Sequence, residues 1–207
     1  MSTPVIVFAK APVPGEVKTR LVATLGAAGA AALHRRMVRR AVATALEAAV
    51  GPAELCAAPD RSHPFFAACA REFGVALTEQ GPGDLGDRMA RALARRAPAL
   101  LIGADCPVLA AQHLRAAARA LTDGYDAVLG PAEDGGYVLV GLAHAANGMF
   151  ERIQWGSACV LAATRERLRT LGLDWFELPV LWDVDRPEDL ARMQRELGGG
   201  GRVPDAV

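Results

Sequence analysis

Residues Leu100-Leu101-Ile102-Gly103-Ala104-Asp105-Cys106-Pro107 form an apolar run that stops on one carboxylate and a proline. A strand without polar alternation is buried on both faces, which places it inside a mainly parallel sheet covered by helices. In open α/β sheets ligands bind just beyond the carboxyl ends of such strands, so Asp105 is aimed at a site. Far downstream, Trp182-Asp183-Val184-Asp185-Arg186-Pro187-Glu188-Asp189 offers two carboxylates on alternate residues. With Asp105 they have the chemistry to hold a divalent cation against a phosphate.

The rest of the chain alternates in the same sense. Pro4 to Ala9 reads as a first buried strand, ended by Ala11-Pro12-Val13-Pro14-Gly15, which cannot continue a regular element. Ala27 to Val50 reads as a long helix with Val38, Val42, Leu46 and Val50 at four-residue spacing, stopped by Gly51-Pro52. Strands over 53–58, 75–78 and 99–103 then alternate with helices over 64–73, 85–96 and 110–121, the mark of right-handed βαβ units. A strand over 127–130 and another over 137–141 are separated only by Pro131-Ala132-Glu133-Asp134-Gly135-Gly136, too short for a crossover, so a hairpin or antiparallel insertion is expected. Helices over 157–171 and 187–197 flank a strand over 175–178. At 207 residues the chain has room for one α/β domain with a full core, expected over residues 1–197, with the glycine-rich residues 198–207 as a disordered tail.

The 23 basic and 23 acidic residues balance, giving no field to attract nucleic acid or a membrane surface. Their placement is uneven. Residues 10–40 carry seven bases (Lys10, Lys18, Arg20, Arg35, Arg36, Arg39, Arg40) against Glu16, and residues 174–189 carry six acids against Arg186. One end suits phosphate and the other a cation. Four cysteines without paired metal-ligand spacing, no recognisable signal peptide and no apolar stretch of bilayer length imply a reduced, soluble, cytoplasmic protein.

The segment Lys10 to Leu21 combines two prolines, Gly15 and three cations at the exit of the first strand, and can fold around phosphates with backbone N–H groups as well as Lys and Arg. It lacks the glycine spacing of a P-loop, and an exposed turn accounts for the same composition. Asp105 equally suits a helix cap, and Asp185-Arg186-Pro187-Glu188-Asp189 equally suits a helix start. Glu133-Asp134-Gly135-Gly136-Tyr137 places two acids, two permissive glycines and a phenol in one turn, where an acid such as Asp134 can orient an acceptor hydroxyl or contact the metal, or a tight hairpin alone is being made. Gly81-Pro82-Gly83-Asp84-Leu85-Gly86 matches the dinucleotide pattern G-x-G-x-x-G, the basis of a rival reading as an NAD-dependent oxidoreductase; a non-catalytic nucleotide-binding protein is another. The preceding Thr78-Glu79-Gln80 is a poor strand for that motif. The four histidines have no ligand spacing, the arginines at 35, 36, 39 and 40 suit a solvated helix face, and Trp155-Gly156-Ser157 suits either a pocket wall or a capped core tryptophan.

Taken together, residues 10–21, 81–88, 102–107, 130–141 and 182–190 resemble the radical-SAM/selenodomain-associated transferases, a bacterial family placed among GT-A-type nucleotide-diphospho-sugar transferases and labelled glycosyltransferase-like. More distantly the chain is similar to the molybdenum-cofactor and 2-phospholactate guanylyltransferases. The resemblance implies an α/β fold, a three-layer Rossmann-like GT-A domain with a mixed, mainly parallel sheet and helices on both faces. It further implies Mg²⁺ or Mn²⁺, a nucleotide-activated small-molecule donor and an unidentified acceptor, and leaves an oligomer open. By position, Ala9, Lys10, Gly15, Lys18, Arg20, Asp84 and Arg88 would contact the donor nucleotide, and Asp105 with Asp183 or Asp185 would hold the metal. Asp134 would join Asp105, Lys18 and Arg20 in catalysis, and Gly135, Gly136, Tyr137 and Trp155 would meet the acceptor. The expected activity is glycosyl transfer, with nucleotidyl transfer releasing pyrophosphate as the alternative. The chain keeps one acid at Ala104-Asp105-Cys106 where many GT-A enzymes have Asp-x-Asp, and Ala158 stands where a polar residue is expected after Trp155.

Overall fold

The computed structural model describes residues 2–146 and 148–197. The glycine-rich segment 198–207 lies outside them. Seven strands form one sheet: β1 (Val5–Lys10), β2 (Ala53–Ala58), β3 (Ala76–Glu79), β4 (Ala99–Gly103), β5 (Ala127–Pro131), β6 (Tyr137–Leu142) and β7 (Trp175–Glu177), in the order β3-β2-β1-β4-β6-β5-β7. All neighbouring pairs run parallel except those made by β6, which lies antiparallel between β4 and β5. The hairpin expected from the short 131–136 connection is therefore present, and it is what makes the sheet mixed.

Six helices cover the sheet: α1 (Val22–Ala48), α2 (Pro64–Phe73), α3 (Leu85–Ala94), α4 (Ala111–Thr122), α5 (Val160–Thr170) and α6 (Pro187–Leu197). Strand side chains alternate between two cores, as a doubly covered sheet requires. Val5, Val7, Leu100 and Ile102 face α1, α2 and α4, whereas Ile6, Phe8 and Leu101 face α3 and α5. A third cluster, Leu21, Leu33, Met37, Trp182 and Val184, is closed by Leu190 and Met193 of α6. That small core docks the acidic 182–185 segment on the carboxyl ends of the strands.

Element ends differ from the sequence expectation in physically legible ways. The first helix is continuous from Ala27, as expected, but ends at Ala48; a 3₁₀ turn over Thr19–Leu21 and one further helical turn from Val22 precede it and break at Gly26 (φ 70°, ψ 162°). Within it Val38 and Val42 are fully buried but Leu46 is 40% exposed, because four-residue steps advance by more than a full turn and drift off the face. Ala45 and Ala48 take over the contact. The fifth helix begins at Val160 rather than Ser157, since the Ser157 hydroxyl donates back to the Gln154 carbonyl at 2.7 Å and holds a turn there.

Candidate active site

β1 and β4 are adjacent, and the chain leaves them toward opposite edges of the sheet. Their carboxyl ends thus form the switch point at which open α/β sheets bind ligands. The loop after β1 brings Lys18 there, and the exit of β4 brings Asp105. Lys18 takes the left-handed conformation (φ 49°, ψ 42°), a strained setting for a residue with a side chain. That turn sends its side chain inward, where only 3% of it remains exposed.

The Lys18 ammonium lies 2.8 Å from Asp105 Oδ1 and 3.1 Å from Asp185 Oδ1, and donates to the Val184 carbonyl at 2.6 Å. Burial pulls this ammonium toward neutrality, yet the two carboxylates outweigh it and hold its pKa above that of an ordinary lysine. One cation thereby joins the first loop, the exit of β4 and the 182–185 segment. A backbone bond from Val184 N to the Asp105 carbonyl at 2.9 Å makes the same connection. Arg20, 63% exposed on its side chain, reaches Asp185 Oδ2 at 3.3 Å and keeps its remaining donors toward solvent.

His34, buried on α1, was not marked by any spacing in the sequence. Its Nε2 lies 3.0 Å from the Lys10 carbonyl, and its unpartnered Nδ1 lies 3.9 Å from Asp105 Oδ1. Burial holds its pKa below the usual histidine value against the opposing pull of Asp105. Asp183 is the carboxylate most out of balance: desolvation, then the Asp134 and Asp185 charges, raise its pKa to about 6. Asp134 and Asp183 meet because the turn after β5 pairs with the 181 backbone, through Glu133 N to the Leu181 carbonyl at 3.0 Å and Leu181 N to the Pro131 carbonyl at 2.9 Å. Arg192 of α6 secures the junction, donating to both Glu133 oxygens at 2.7 and 3.0 Å while stacking 4.4 Å from the Trp182 ring centroid.

The expected metal ligands Asp105, Asp183 and Asp185 do not converge as a set. Asp105 and Asp185 share the Lys18 ammonium, and among the described residues no three His, Cys, Asp or Glu side chains surround one point as a cation would require. What fits is a less complete site: Asp183 and Asp134 repel one another, and Mg²⁺ ordinarily takes one or two protein carboxylates with waters and substrate phosphates.

Asp84 and Arg88 have local partners. Asp84 caps α3 through Asp87 N at 2.9 Å, with Asp87 returning to Asp84 N, and Arg88 Nε donates to the Gly83 carbonyl at 2.9 Å. The G-x-G-x-x-G segment is thus the start of α3 after the edge strand β3, and its Leu85 reaches the cavity that Asp134 and Asp185 also line. Ala9 ends the buried part of β1, Lys10 is exposed, and Gly15 turns at φ 86°. Gly135 sits where any Cβ would strike the Ala158 carbonyl, so it serves the packing of the β5–β6 turn. Gly136, Tyr137 and Trp155 line a cavity of about 430 Å³ together with Arg20, Asp134 and Asp185. Nothing in the described residues is a helix long and apolar enough to cross a membrane.

The chain is similar over 95% of its length to the structure of a Desulfovibrio desulfuricans G20 protein assigned to the nucleotide-diphospho-sugar transferases, at 31% identity, a TM-score of 0.83 and 89% coverage of that chain. A cytidylyltransferase from Leptospira borgpetersenii shares the fold at 10% identity (TM-score 0.66; 98% of this chain, 89% of that one). So does glucosyl-3-phosphoglycerate synthase from Mycobacterium tuberculosis, solved with Mn²⁺ and uridine diphosphate, at 13% identity (TM-score 0.52; 95% of this chain, 77% of that one). No curated protein matches by sequence. The architecture is that of the GT-A and nucleotidyltransferase folds, and with a family model matching residues 41–157 the chain belongs to the family described as Uncharacterized protein conserved in bacteria (DUF2064).

Proposed function

We propose that this protein is a metal-dependent transferase that moves a group from a nucleotide-activated donor to a small acceptor, with glycosyl transfer as the leading reaction. The observation that carries the reading is the buried Lys18 ammonium tying Asp105 to the 182–185 segment at the switch point. A lysine held charged in that place fixes Asp105 and the 182–185 segment where a donor would lie, and a fixed arrangement requires little reorganisation during reaction. Arg20, with donors to spare, and exposed Lys10 would grip the outer phosphates. Ala9, Gly15, Asp84 and Arg88 would frame the nucleotide.

A divalent Mg²⁺ or Mn²⁺ would be held by Asp183 and Asp134 with waters and donor phosphates completing its shell, and when bound would neutralise charge on the departing phosphate. Asp134 opens onto the cavity and is oriented by the Gly136 N–H at 2.9 Å, so its carboxylate can accept the proton of an acceptor hydroxyl. The finer kinship with radical-SAM/selenodomain-associated transferases belongs to the same proposal. The pyrophosphate-releasing alternative asks more cations of the first loop, and Lys18 is already committed to two carboxylates.

Thermal-shift measurement with the four NTPs, common UDP-, GDP- and CDP-sugars and NAD(H), each with and without Mn²⁺, tests the reading on the wild type and Asp105→Ala. A ligand at about a hundred times its dissociation constant adds roughly 2.7 kcal/mol. The expected result is a Mn²⁺-dependent shift for one nucleotide series, lost in the variant. A shift with NAD(H) alone, indifferent to Mn²⁺, overturns it.

A further inference from the structure

The 430 Å³ cavity is chemically two-ended. Its charged lining residues, Arg20, Asp134, Asp185 and Arg186, belong to the cluster around Lys18 and the acidic segment. The large side chains of the remaining wall are apolar or aromatic, Phe8, Leu85, Met89, Leu101, Tyr137 and Trp155, with the Gly156–Ala158 backbone beside them. Leu85, in the first turn of α3, is 43% exposed, an apolar side chain left without cover beside the opening. Trp155 is seated against Gly86, where a Cβ would come within 2.9 Å of the indole, so the tryptophan is fixed as a wall. Tyr137 stands edge-on to it, ring centroids 6.5 Å apart.

The side-chain polar atoms of this wall are few and do not form a hydroxyl-reading array. The Trp155 indole N–H points at the start of α3 and has no partner, and the Tyr137 hydroxyl lies beside Thr164 without completing a hydrogen bond. The Ser157 hydroxyl is already spent on the Gln154 carbonyl. A hexose ring pressed into this end would surrender water from several hydroxyls and find few side-chain replacements among the aromatic and aliphatic groups, which disfavours it there. An aromatic or aliphatic body loses nothing there and gains contact with the rings and Met89.

We infer that the apolar end is the acceptor subsite and that the acceptor is an alcohol with an apolar or aromatic body, its hydroxyl directed to Asp134 and its body between Leu85, Tyr137 and Trp155. The identity of this occupant as the acceptor rests on the transferase reading, whereas the preference for an apolar alcohol over a polyol rests on the wall alone.

Benzyl alcohol and glucose serve as matched probes in saturation-transfer NMR on the full chain, with and without the nucleotide and Mn²⁺ selected by thermal shift. Benzyl alcohol is expected to bind the wild type and glucose to give no transfer at the same concentration. In Leu85→Asp, a change at an exposed position that keeps the fold, benzyl alcohol affinity is expected to fall about ten-fold. Trp155→Ala is expected to abolish its transfer. The signal is expected to persist when nucleotide and Mn²⁺ are bound. Stronger transfer to glucose than to benzyl alcohol, or affinity unchanged in both variants, overturns the subsite's chemistry. Displacement of benzyl alcohol by the nucleotide overturns its assignment to the acceptor. If no nucleotide shifts the melting temperature while benzyl alcohol still binds and responds to both variants, the transferase reading falls and the apolar subsite stands.

Discussion

Lys18 concentrates most of the site's chemistry in one atom. Its ammonium is buried while its partners Asp105 and Asp185 are 47% and 42% exposed on their side chains, so water screens part of each attraction. Lys18→Ala is expected to lower stability in urea by about 1–3 kcal/mol, through two carboxylates and one carbonyl left without their donor. It should also remove nucleotide affinity. Asp105→Ala should cut turnover by about two orders of magnitude or more with a small change in urea midpoint, since Asp105 is half open to solvent. Asp183 makes a prediction of opposite sign. With its carboxyl pKa raised from 3.8 to about 6, the folded chain binds the proton more tightly than the unfolded chain does. Stability therefore falls as pH rises from 4 to 6, and the full penalty stands above 6. In chelator-treated protein Asp183→Asn is expected to raise stability by about 1–2 kcal/mol at pH 7.5 and to bring no gain at pH 4, checked by urea melts at both.

At the scale of elements, the fold was legible where local pattern decides it. The unbroken apolar run of β4 and the six-residue connection before β6 announced a buried parallel strand and a hairpin, and both are present. Asp105 could be singled out because its strand ends so abruptly. Lys18 and Asp185 stand out as well, but not the ion pairs that join them to one another and to Asp105. A lysine is expected at the surface, so nothing local marked the burial of Lys18. His34, Glu133 and Arg192 act through contacts that span the chain and leave no spacing to read. The same limit explains why Asp105, Asp183 and Asp185 were grouped as ligands: alternation within 183–185 was visible, but the cation already shared by two of them was not. Arg192 shows what α6 contributes. It binds Glu133, the neighbour of Asp134, and stacks on Trp182, the neighbour of Asp183. Arg192→Ala is expected to weaken Mn²⁺ binding about ten-fold by electron paramagnetic resonance while leaving the affinity for metal-free nucleotide intact. Arg192→Lys should not rescue it, because an ammonium cannot both fork onto the carboxylate and lie flat on the indole.

For the whole molecule, rigidity and function are distributed unevenly. The sheet centre is fixed by two cores, whereas α6 and the 182–185 segment rest on the small third cluster of five buried residues. Hydrogen exchange should accordingly be slowest in β1 and β4 and faster across 182–197, and binding of nucleotide with Mn²⁺ should slow the latter selectively. Uniform protection across both regions in the free protein would contradict this. The family match over residues 41–157 takes in Asp105, Asp134 and Trp155, while Lys18 and the acidic 182–185 segment lie on either side of it.

The Lys18–Asp185 contact joins positions separated by 167 residues. A ribosome makes these two partners at widely separated moments. Throughout that interval a growing chain can pair β1 with β2 and later with β4, yet its buried lysine has only half its acid partners. The catalytic centre therefore comes into being after most of the scaffold, when the 183–185 stretch has cleared the exit tunnel and settled on its small core. A nascent chain would carry a nearly finished sheet and no assembled Lys18 cluster, so any activity that depends on that cluster would wait until synthesis had passed that point.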